Sequence, residues 1–167
     1  MAESYDIALV RVDNRLVHGQ ILEAWVTHIE AECIMVVDDN SAADFFCETV
    51  IRMAVPSHIE VNICTVEDFA SHYSFARGKG KKTIVLLSNI ADALRAHELG
   101  FQFDKLNIGN INHEEYRLCC SPSVFLCDTE IDDILKLLQA RGVHVEIRRV
   151  PKEKAIDIRD ALKEFCL

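Results

Sequence analysis

The sequence predicts an α/β fold: an open, mainly parallel sheet with helices on both faces and a short antiparallel hairpin at one edge. Apolar runs of strand length alternate with helical segments five or six times, which favours parallel strands joined by crossover helices. Some runs are continuously apolar, as in strands covered on both faces. The 167 residues are 50% hydrophobic and 27% charged, a composition typical of one globular domain.

The first predicted strand is the apolar run at residues 7–10, which leads into a charged loop. Helical periodicity begins after the loop and includes Ile21 and Trp25. In an open α/β sheet, ligands bind where the carboxyl end of a strand passes into the next helix. We therefore place the candidate site in residues 11–19.

His18 lies where this helix is predicted to begin, and its neighbours suit a phosphoryl group on the ring. The first N–H groups of a helix carry partial positive charge and bind anions, and they disfavour the imidazolium form. Asp13 can accept a hydrogen bond from one ring nitrogen and leave the other free to attack phosphorus. Arg15 can clamp phosphate oxygens. The predicted phosphate-binding residues are Arg15, Asp13 and Gly19.

Four further candidates lie in the same loop or at neighbouring strand ends: Arg11, Asn14, Asp38 and Gly109. Glycine after a strand permits a close approach or a positive φ angle near a site. A second interpretation of His18 stands beside the first, because a single histidine near a helix start is more often a capping or surface residue.

The second strand is predicted at residues 33–37, where the sequence is continuously apolar. Asn40 or Ser41 is expected to cap a helix over residues 42–54, which stops before Pro56.

The acids Asp38 and Asp39 at the end of this strand resemble the magnesium ligands of response-regulator receiver domains. In receivers, however, those acids follow the first strand and a phosphorylated aspartate follows the third. Here the third predicted strand, residues 59–64, ends in Thr65 and Val66. The receiver interpretation is therefore poor, and no metal is predicted.

Capping residues, glycine stops and proline breaks define the rest of the chain. The basic turn at residues 77–82 lacks the spacing of a phosphate-binding loop and precedes a strand, so we interpret it as a solvated connection. The remaining predicted elements are a helix over 65–75, a strand at 83–87, a helix over 89–99, a strand at 105–108, two short strands within 117–127, a helix over 131–141, a strand at 143–147 and a helix over 155–165.

Charge and hydropathy exclude several classes of protein. The net charge of −9 disfavours nucleic acid and anionic membranes as partners. No apolar run approaches the length of a membrane span, and the acidic start lacks the features of a signal peptide. These features predict a cytoplasmic protein.

Seven cysteines are present, an odd number with no C-x-x-C pair. We expect them to be buried small side chains, with no disulfide and no metal site. The six histidines other than His18 are expected to be solvated.

The segment V-R-V-D-N-R-L-V-H-G-Q at residues 10–20 resembles the signature V-R-I-D-x-R-L-I-H-G-Q. This is the signature of the enzyme IIB subunits in the mannose/fructose/sorbose family of the sugar phosphotransferase system. The resemblance continues in I-M-V-V-D-D-N-S-A-A-D, L-N-I-G-N-I and S-P-S-V-F-L. It covers nearly the whole chain and implies a single IIB domain at residues 1–167.

The resemblance implies a carrier that accepts a phosphoryl group from a phosphohistidine on a IIA protein. The carrier then passes the group to a sugar held by a membrane IIC/IID complex, without a cofactor. The phosphorylated histidine of the family falls on His18, its phosphate-binding arginine on Arg15 and its first acidic loop position on Asp13. The second loop position, commonly acidic, is Asn14 here, which removes one negative charge near the phosphate.

Two alternatives stay open at this point: a phosphohistidine module that regulates without moving sugar, and a non-covalent small-ligand-binding α/β domain. The sequence also leaves open which sugar is involved and whether the chain forms a homo-oligomer.

Overall fold

Ten strands form within residues 3–163, the part of the chain that the computed structural model describes. The apolar runs identified above account for most of them. The strands are β1 Ser4–Asp13, β2 Cys33–Val37, β3 Glu60–Cys64, β4 Ser74–Phe75, β5 Lys81–Leu87, β6 Lys105–Asn110, β7 Leu118–Ser121, β8 Val124–Leu126, β9 His144–Ile147 and β10 Ile156–Asp157.

Eight strands form one sheet in which β1 is central. The order is β10-β9-β6-β1-β5-β2-β3, and the short β4 pairs with the start of β1. All pairings are parallel except that of β10 with β9. β7 and β8 form a separate antiparallel pair. The predicted mainly parallel sheet is confirmed, and so is the antiparallel hairpin.

Seven α-helices and two π-helical turns cover the sheet in the described part of the chain. The helices are α1 Val26–Ile29, α2 Asp39–Ala43, α3 Phe45–Ala54, α4 Val66–His72, α5 Ile90–Glu98, α6 Asp128–Leu135 and α7 Ile158–Lys163. The π-helical turns, Ile21–Trp25 and Lys136–Ala140, precede α1 and follow α6.

Helices pack on both faces because side chains of the central strands alternate between two cores. The smaller core joins Trp25 and the α3 residue Ile51 to one face of the sheet. The larger core joins α4, α5, α6 and α7 to the other face. The segment after β1 packs in the smaller core, whereas the hairpin and α6, which follow β6, pack in the larger core. The chain therefore leaves these neighbouring strands toward opposite faces, which opens a crevice at their carboxyl ends.

The helix predicted over residues 42–54 was wrong in two respects, because its first cap lies earlier than expected and a second cap lies inside it. Asp38, rather than Asn40 or Ser41, caps α2 by accepting a hydrogen bond from the N–H of Ser41 at 3.0 Å. The segment then breaks at Asp44, whose extended backbone and carboxylate start α3 as a second helix. The predicted single helix is therefore two.

Short strands replace the end of one other predicted helix and the start of another. In the helix predicted over residues 65–75, the last two residues, Ser74–Phe75, form β4 instead, because Phe75 packs on the rings of Phe69 and Phe101, with centroids 5.1 and 4.9 Å away. Ile156–Asp157 pairs with β9 before α7 begins. The predicted end of that last helix lies outside the described residues.

The predicted hairpin forms, but it does not lie at an edge of the main sheet. β7 and β8 make a sheet of their own, connected to the end of β6 through a parallel bridge between Ile111 and Val124. The antiparallel edge of the main sheet is β10.

The cysteine expectation was partly wrong. Cys33 and Cys64 are buried, and burial raises the pKa of Cys33 to about 11 and that of Cys64 to about 12. Cys119 is exposed instead, since it lies on the face of the hairpin opposite to Cys120, which packs against the larger core. Six cysteines are free thiols, and Cys166 lies outside the described residues.

No helix among residues 3–163 is long and apolar enough to cross a membrane.

The expectation of a solvated ring was wrong for His97, which is 3% exposed on the inner face of α5. Its ring packs edge-on against Phe103 with centroids 4.9 Å apart. Burial, together with the charge of Arg141, lowers its pKa. The ring is therefore held in its neutral form.

We predict that the free energy of unfolding decreases as the pH falls below the ordinary histidine value of 6.5. In this range the unfolded chain binds a proton at His97 that the folded chain does not bind. Urea unfolding at about pH 7.5 and 5.5 should show a smaller pH-dependent loss in His97→Phe than in the parent chain. His58→Asn, at an exposed position, is the matched control, and an unchanged slope in His97→Phe would contradict the prediction.

Candidate functional site

The charged loop of residues 14–18 lies at the crevice between the ends of β1 and β6. Its first residue, Asn14, donates its backbone N–H to the carbonyl of Asn110 at 3.1 Å. The side chains of the two asparagines are also joined, with Nδ2 of Asn110 donating to Oδ1 of Asn14 at 2.7 Å. Both contacts fix the loop against β6.

Asp13, the last residue of β1, is the centre of the site. Its carboxylate is fully buried and contacts three basic side chains. Nη2 of Arg11 lies 3.2 Å from Oδ2, Arg15 donates from Nε to Oδ1 and from Nη2 to Oδ2 at 3.0 Å each, and Nε2 of His18 lies 2.9 Å from Oδ2. The backbone N–H of Arg15 adds a further bond to Oδ1 at 3.1 Å.

These partners keep Asp13 ionised. Burial alone would raise the pKa of Asp13, but hydrogen bonds from His18 and Arg15 outweigh it and hold the pKa well below its usual range. A buried carboxylate without such donors would be costly. Asp13 therefore stays negative at every physiological pH.

His18 is oriented by this carboxylate. Because Nε2 faces Asp13, the other ring nitrogen, Nδ1, is left without a hydrogen-bond partner among residues 3–163. The side chain is 15% exposed, so part of the ring reaches the surface. When Nε2 carries the proton, the lone pair of Nδ1 is available as a nucleophile.

Arg15 is the more exposed cation of the cluster, with 42% of its side chain accessible. Two of its guanidinium nitrogens bind Asp13, and Nη2 also donates to Oε1 of Gln20 at 3.2 Å. Its Nη1 makes no hydrogen bond in the described part of the chain. The guanidinium is thus fixed beside His18 with donors available to an anion at the surface.

Arg11, predicted as a further candidate, lies on the opposite side of Asp13 and is fully buried. Its Nη1 donates to Oδ1 of Asn107 at 2.6 Å and to the carbonyl of Arg148 at 2.8 Å. Its Nη2 also donates to the carbonyl of Arg149 at 3.1 Å. Without access to the surface, Arg11 supports Asp13 from below instead of meeting a ligand.

Gly109 leaves the space that this guanidinium occupies. A Cβ at Gly109 would lie 1.8 Å from Nη2 of Arg11. The close approach expected at this glycine is therefore an approach to Arg11, and no positive φ is involved.

The remaining two predicted site residues are Gly19, next to His18, and Asp38, at the end of another strand. Gly19 is exposed at the helix start, and nothing lies within 4 Å of the place where its Cβ would be. Asp38 lies at the end of β2, beyond β5, and its carboxylate binds Ser41 and Ser88. The fold does not bring Asp38 into the His18 cluster.

The loop reaches His18 through a strained residue. Leu16 has a φ of 56°, in the left-handed region that a bulky side chain rarely adopts. Its N–H donates to the carbonyl of Asp13 at 2.9 Å, and its side chain is buried in the smaller core. Packing therefore holds the tight turn that brings His18 back over Asp13.

A π-helical turn, Ile21–Trp25, follows His18. Trp25 donates from its indole nitrogen to the carbonyl of Arg149 at 2.9 Å. Its ring also lies 5.2 Å from the guanidinium carbon of Arg11, within range of a cation–π interaction. The helix is thus tied to the same buried layer as Asp13.

Sequence reasoning missed Trp25, Asn107, Asn110 and the carbonyls of residues 148 and 149 as parts of the site. A signal existed for Asn107, because a polar side chain inside the apolar run of β6 must find a buried partner. The two carbonyls had no signal, since any residue type supplies one.

The model of a protein family described as PTS system sorbose subfamily IIB component matches residues 7–165. The fructose-specific EIIB component of Bacillus subtilis is 29% identical over 158 residues, which cover 95% of this chain and 96% of the relative. The mannose-specific EIIAB component of Escherichia coli K12 is 28% identical over 155 residues. That match covers 91% of this chain but only 48% of the relative.

The fold is also similar to that of a solved structure, the crystal structure of manxB from Thermoanaerobacter tengcongensis. The two superpose with a TM-score of 0.87 at 26% sequence identity. The match covers 98% of this chain and 99% of the other.

We predict that Gly109→Ala destabilises the fold by about 1–3 kcal/mol, because the added methyl group displaces a guanidinium held by hydrogen bonds. Gly19→Ala, at an open position, should change the free energy of unfolding by less than about 1 kcal/mol. Denaturant unfolding of both variants tests this. Equal stability of the two would contradict the close packing of Gly109 on Arg11.

Proposed function

The chain belongs to the PTS system sorbose subfamily IIB component family, and we propose that it carries the phosphoryl group on Nδ1 of His18. IIB components of this system are phosphotransferases, and the chain is a phosphocarrier that passes a phosphoryl group to a sugar.

One observation carries the assignment: Asp13 accepts from Nε2 of His18 at 2.9 Å and leaves Nδ1 unengaged. A carboxylate that binds one ring nitrogen fixes the tautomer and increases the nucleophilicity of the other. Asp13 is thus a positioning residue. Its negative charge makes it unsuited to contact phosphate oxygens directly, so its role differs from the phosphate-binding role expected from the sequence.

In the first transfer, the lone pair of Nδ1 attacks the phosphorus of a phosphohistidine on the donor protein. A new N–P bond forms while the donor's N–P bond breaks, and the donor imidazole leaves with the bonding electrons. In the second transfer, a sugar hydroxyl attacks the phosphorus, the bond to Nδ1 breaks and the hydroxyl proton passes to a base at the sugar site. His18 ends as it began.

Arg15 and the start of the helix surround the phosphoryl group in this proposal. Phosphoryl transfer depends on in-line positioning and on neutralising the charge of the equatorial oxygens. Arg15 supplies a full positive charge beside the ring. The N–H groups of Gly19 and Gln20, which make no hydrogen bond within residues 3–163, supply partial charge. The chain needs no cofactor for these steps.

The family implies a IIA donor and a IIC/IID acceptor complex as partners. The mannose-specific EIIAB relative carries both designations in its name, which supports a phosphorylated IIA protein or domain as the donor. We place the carrier in the cytoplasm, where it can alternate between this donor and a membrane complex that holds the sugar. The exposed Arg15 and the partly exposed His18 suit such brief encounters.

We expect incubation with a phosphorylated IIA protein to add one phosphoryl group to the chain. The mass increase should be stable in base, labile in acid and absent in His18→Ala. His72→Ala, which removes an exposed histidine far from the cluster, is the control and should be labelled like the parent chain. A label that persists in His18→Ala would place the acceptor elsewhere, and no label on the parent chain would favour non-covalent ligand binding.

We predict that Arg15→Ala slows phosphoryl uptake by about 10²–10³-fold, the usual effect of removing one donor that stabilises the transition state. Asp13 keeps its contacts with Arg11 and His18 in this variant, so the chain should still fold, and an unfolding curve measures any loss of stability. Rapid-quench measurement of transfer from phosphorylated IIA gives the rate. Arg77→Ala, at an exposed arginine outside the site, should retain the parent rate, and the same result for Arg15→Ala would remove it from the mechanism.

A further inference from the structure

A second group of reactive side chains lies where the loop after β6 meets the start of α6. His113 comes from the loop, Cys127 is the residue before the helix and Glu130 lies in its first turn. One ligand atom from each lies within 4.8 Å of the other two. Nε2 of His113 is 2.6 Å from Oε1 of Glu130.

The group is shaped by the helix cap. Oε2 of Glu130 accepts the backbone N–H of Cys127 at 3.0 Å, which turns the carboxylate back over the helix start and directs Oε1 toward His113. The side chain of Glu130 is 13% exposed and that of His113 is 38% exposed. The three side chains therefore form a half-buried group that small solutes can reach.

In contrast to the sequence-based expectation of no metal site, we propose that His113, Cys127 and Glu130 bind a zinc ion, with water as the fourth ligand. Zinc favours tetrahedral sets of imidazole nitrogen, thiolate sulfur and carboxylate oxygen, whereas magnesium and calcium favour oxygen alone. With zinc–ligand bonds of about 2.0–2.3 Å, tetrahedral ligand atoms lie roughly 3.3–3.7 Å apart. The three ligand atoms lie between 2.6 and 4.8 Å apart, a range that includes the separation zinc requires. Shifts of about 1 Å therefore bring all three atoms to bonding distance.

Charge and protons balance in the zinc complex. Cys127 binds as thiolate and releases its proton to solvent. The Nε2 proton of His113, which faces Glu130 without zinc, also leaves to solvent, so that the Nε2 lone pair binds the metal and the neutral ring carries its one proton on Nδ1. Glu130 exchanges its hydrogen bond with His113 for a bond to the metal. The thiolate and the carboxylate neutralise the two charges of zinc, which limits repulsion from the positive end of α6.

Bound zinc would fasten the loop after β6 to α6. The start of that loop already bridges to the hairpin through Ile111 and Val124, and Asn110 contacts Asn14 in the phosphoryl site. The ion would thus stabilise the segment that leads away from the His18 crevice without taking a ligand from it.

The experiment uses the full chain, reduced and freed of metal, titrated with Zn²⁺ in competition with a chromophoric chelator. We expect one zinc per chain, and binding weakened about tenfold or more in Cys127→Ser and in His113→Ala. Serine is a good N-cap, so Cys127→Ser should fold normally. Co²⁺ in place of zinc should give a thiolate-to-cobalt charge-transfer band that Cys127→Ser lacks.

Cys119→Ser and His72→Ala, at an exposed free thiol and an exposed histidine, are matched controls that should retain zinc affinity. His18→Ala should retain it as well. Zinc affinity that is unaffected by Cys127→Ser, or that is lost in His18→Ala, would overturn the proposal, as would the absence of a stoichiometric zinc ion in the parent chain.

Discussion

The buried carboxylate of Asp13 is the interaction on which the site depends. It has no contact with solvent and is stabilised by Arg11 from below, by Arg15 at the side and by His18 above. Each contact constrains the next. Arg11 fixes the orientation of the Asp13 carboxylate. That carboxylate in turn fixes both the ring of His18 and the guanidinium of Arg15.

Arg11 and Arg15 both bind Asp13, but only Arg15 reaches the surface. The buried arginine keeps the carboxylate ionised, while the exposed arginine is available to the proposed site. Arg11 is enclosed, bound to Asn107 and to two carbonyls, and its charge is committed to the interior. Arg15 is half exposed and keeps donors for an incoming anion. In the proposed mechanism, Arg11 maintains the electrostatics of the site whether or not His18 carries a phosphoryl group, and Arg15 contacts that group.

The sequence predicted the parallel sheet because continuously apolar runs such as Cys33–Val37 are diagnostic of strands covered on both faces. It also placed His18, Arg15 and Asp13 in one loop, since they are close in the chain. It could not predict the left-handed backbone of Leu16, which depends on burial of that side chain. Nor could it predict the carbonyls at residues 148 and 149, because contacts made by the backbone across 137 or 138 positions leave no trace in residue type.

These long-range contacts have a consequence for biosynthesis. Arg11 leaves the ribosome well before its carbonyl partners at Arg148 and Arg149, which lie 137 and 138 positions further along the chain. Until Arg148 and Arg149 emerge, the Arg11 guanidinium lacks two of its carbonyl partners, and the layer beneath His18 is incomplete. In the proposed mechanism, the capacity to accept a phosphoryl group on His18 should therefore arise only once Arg148 and Arg149 have left the ribosome.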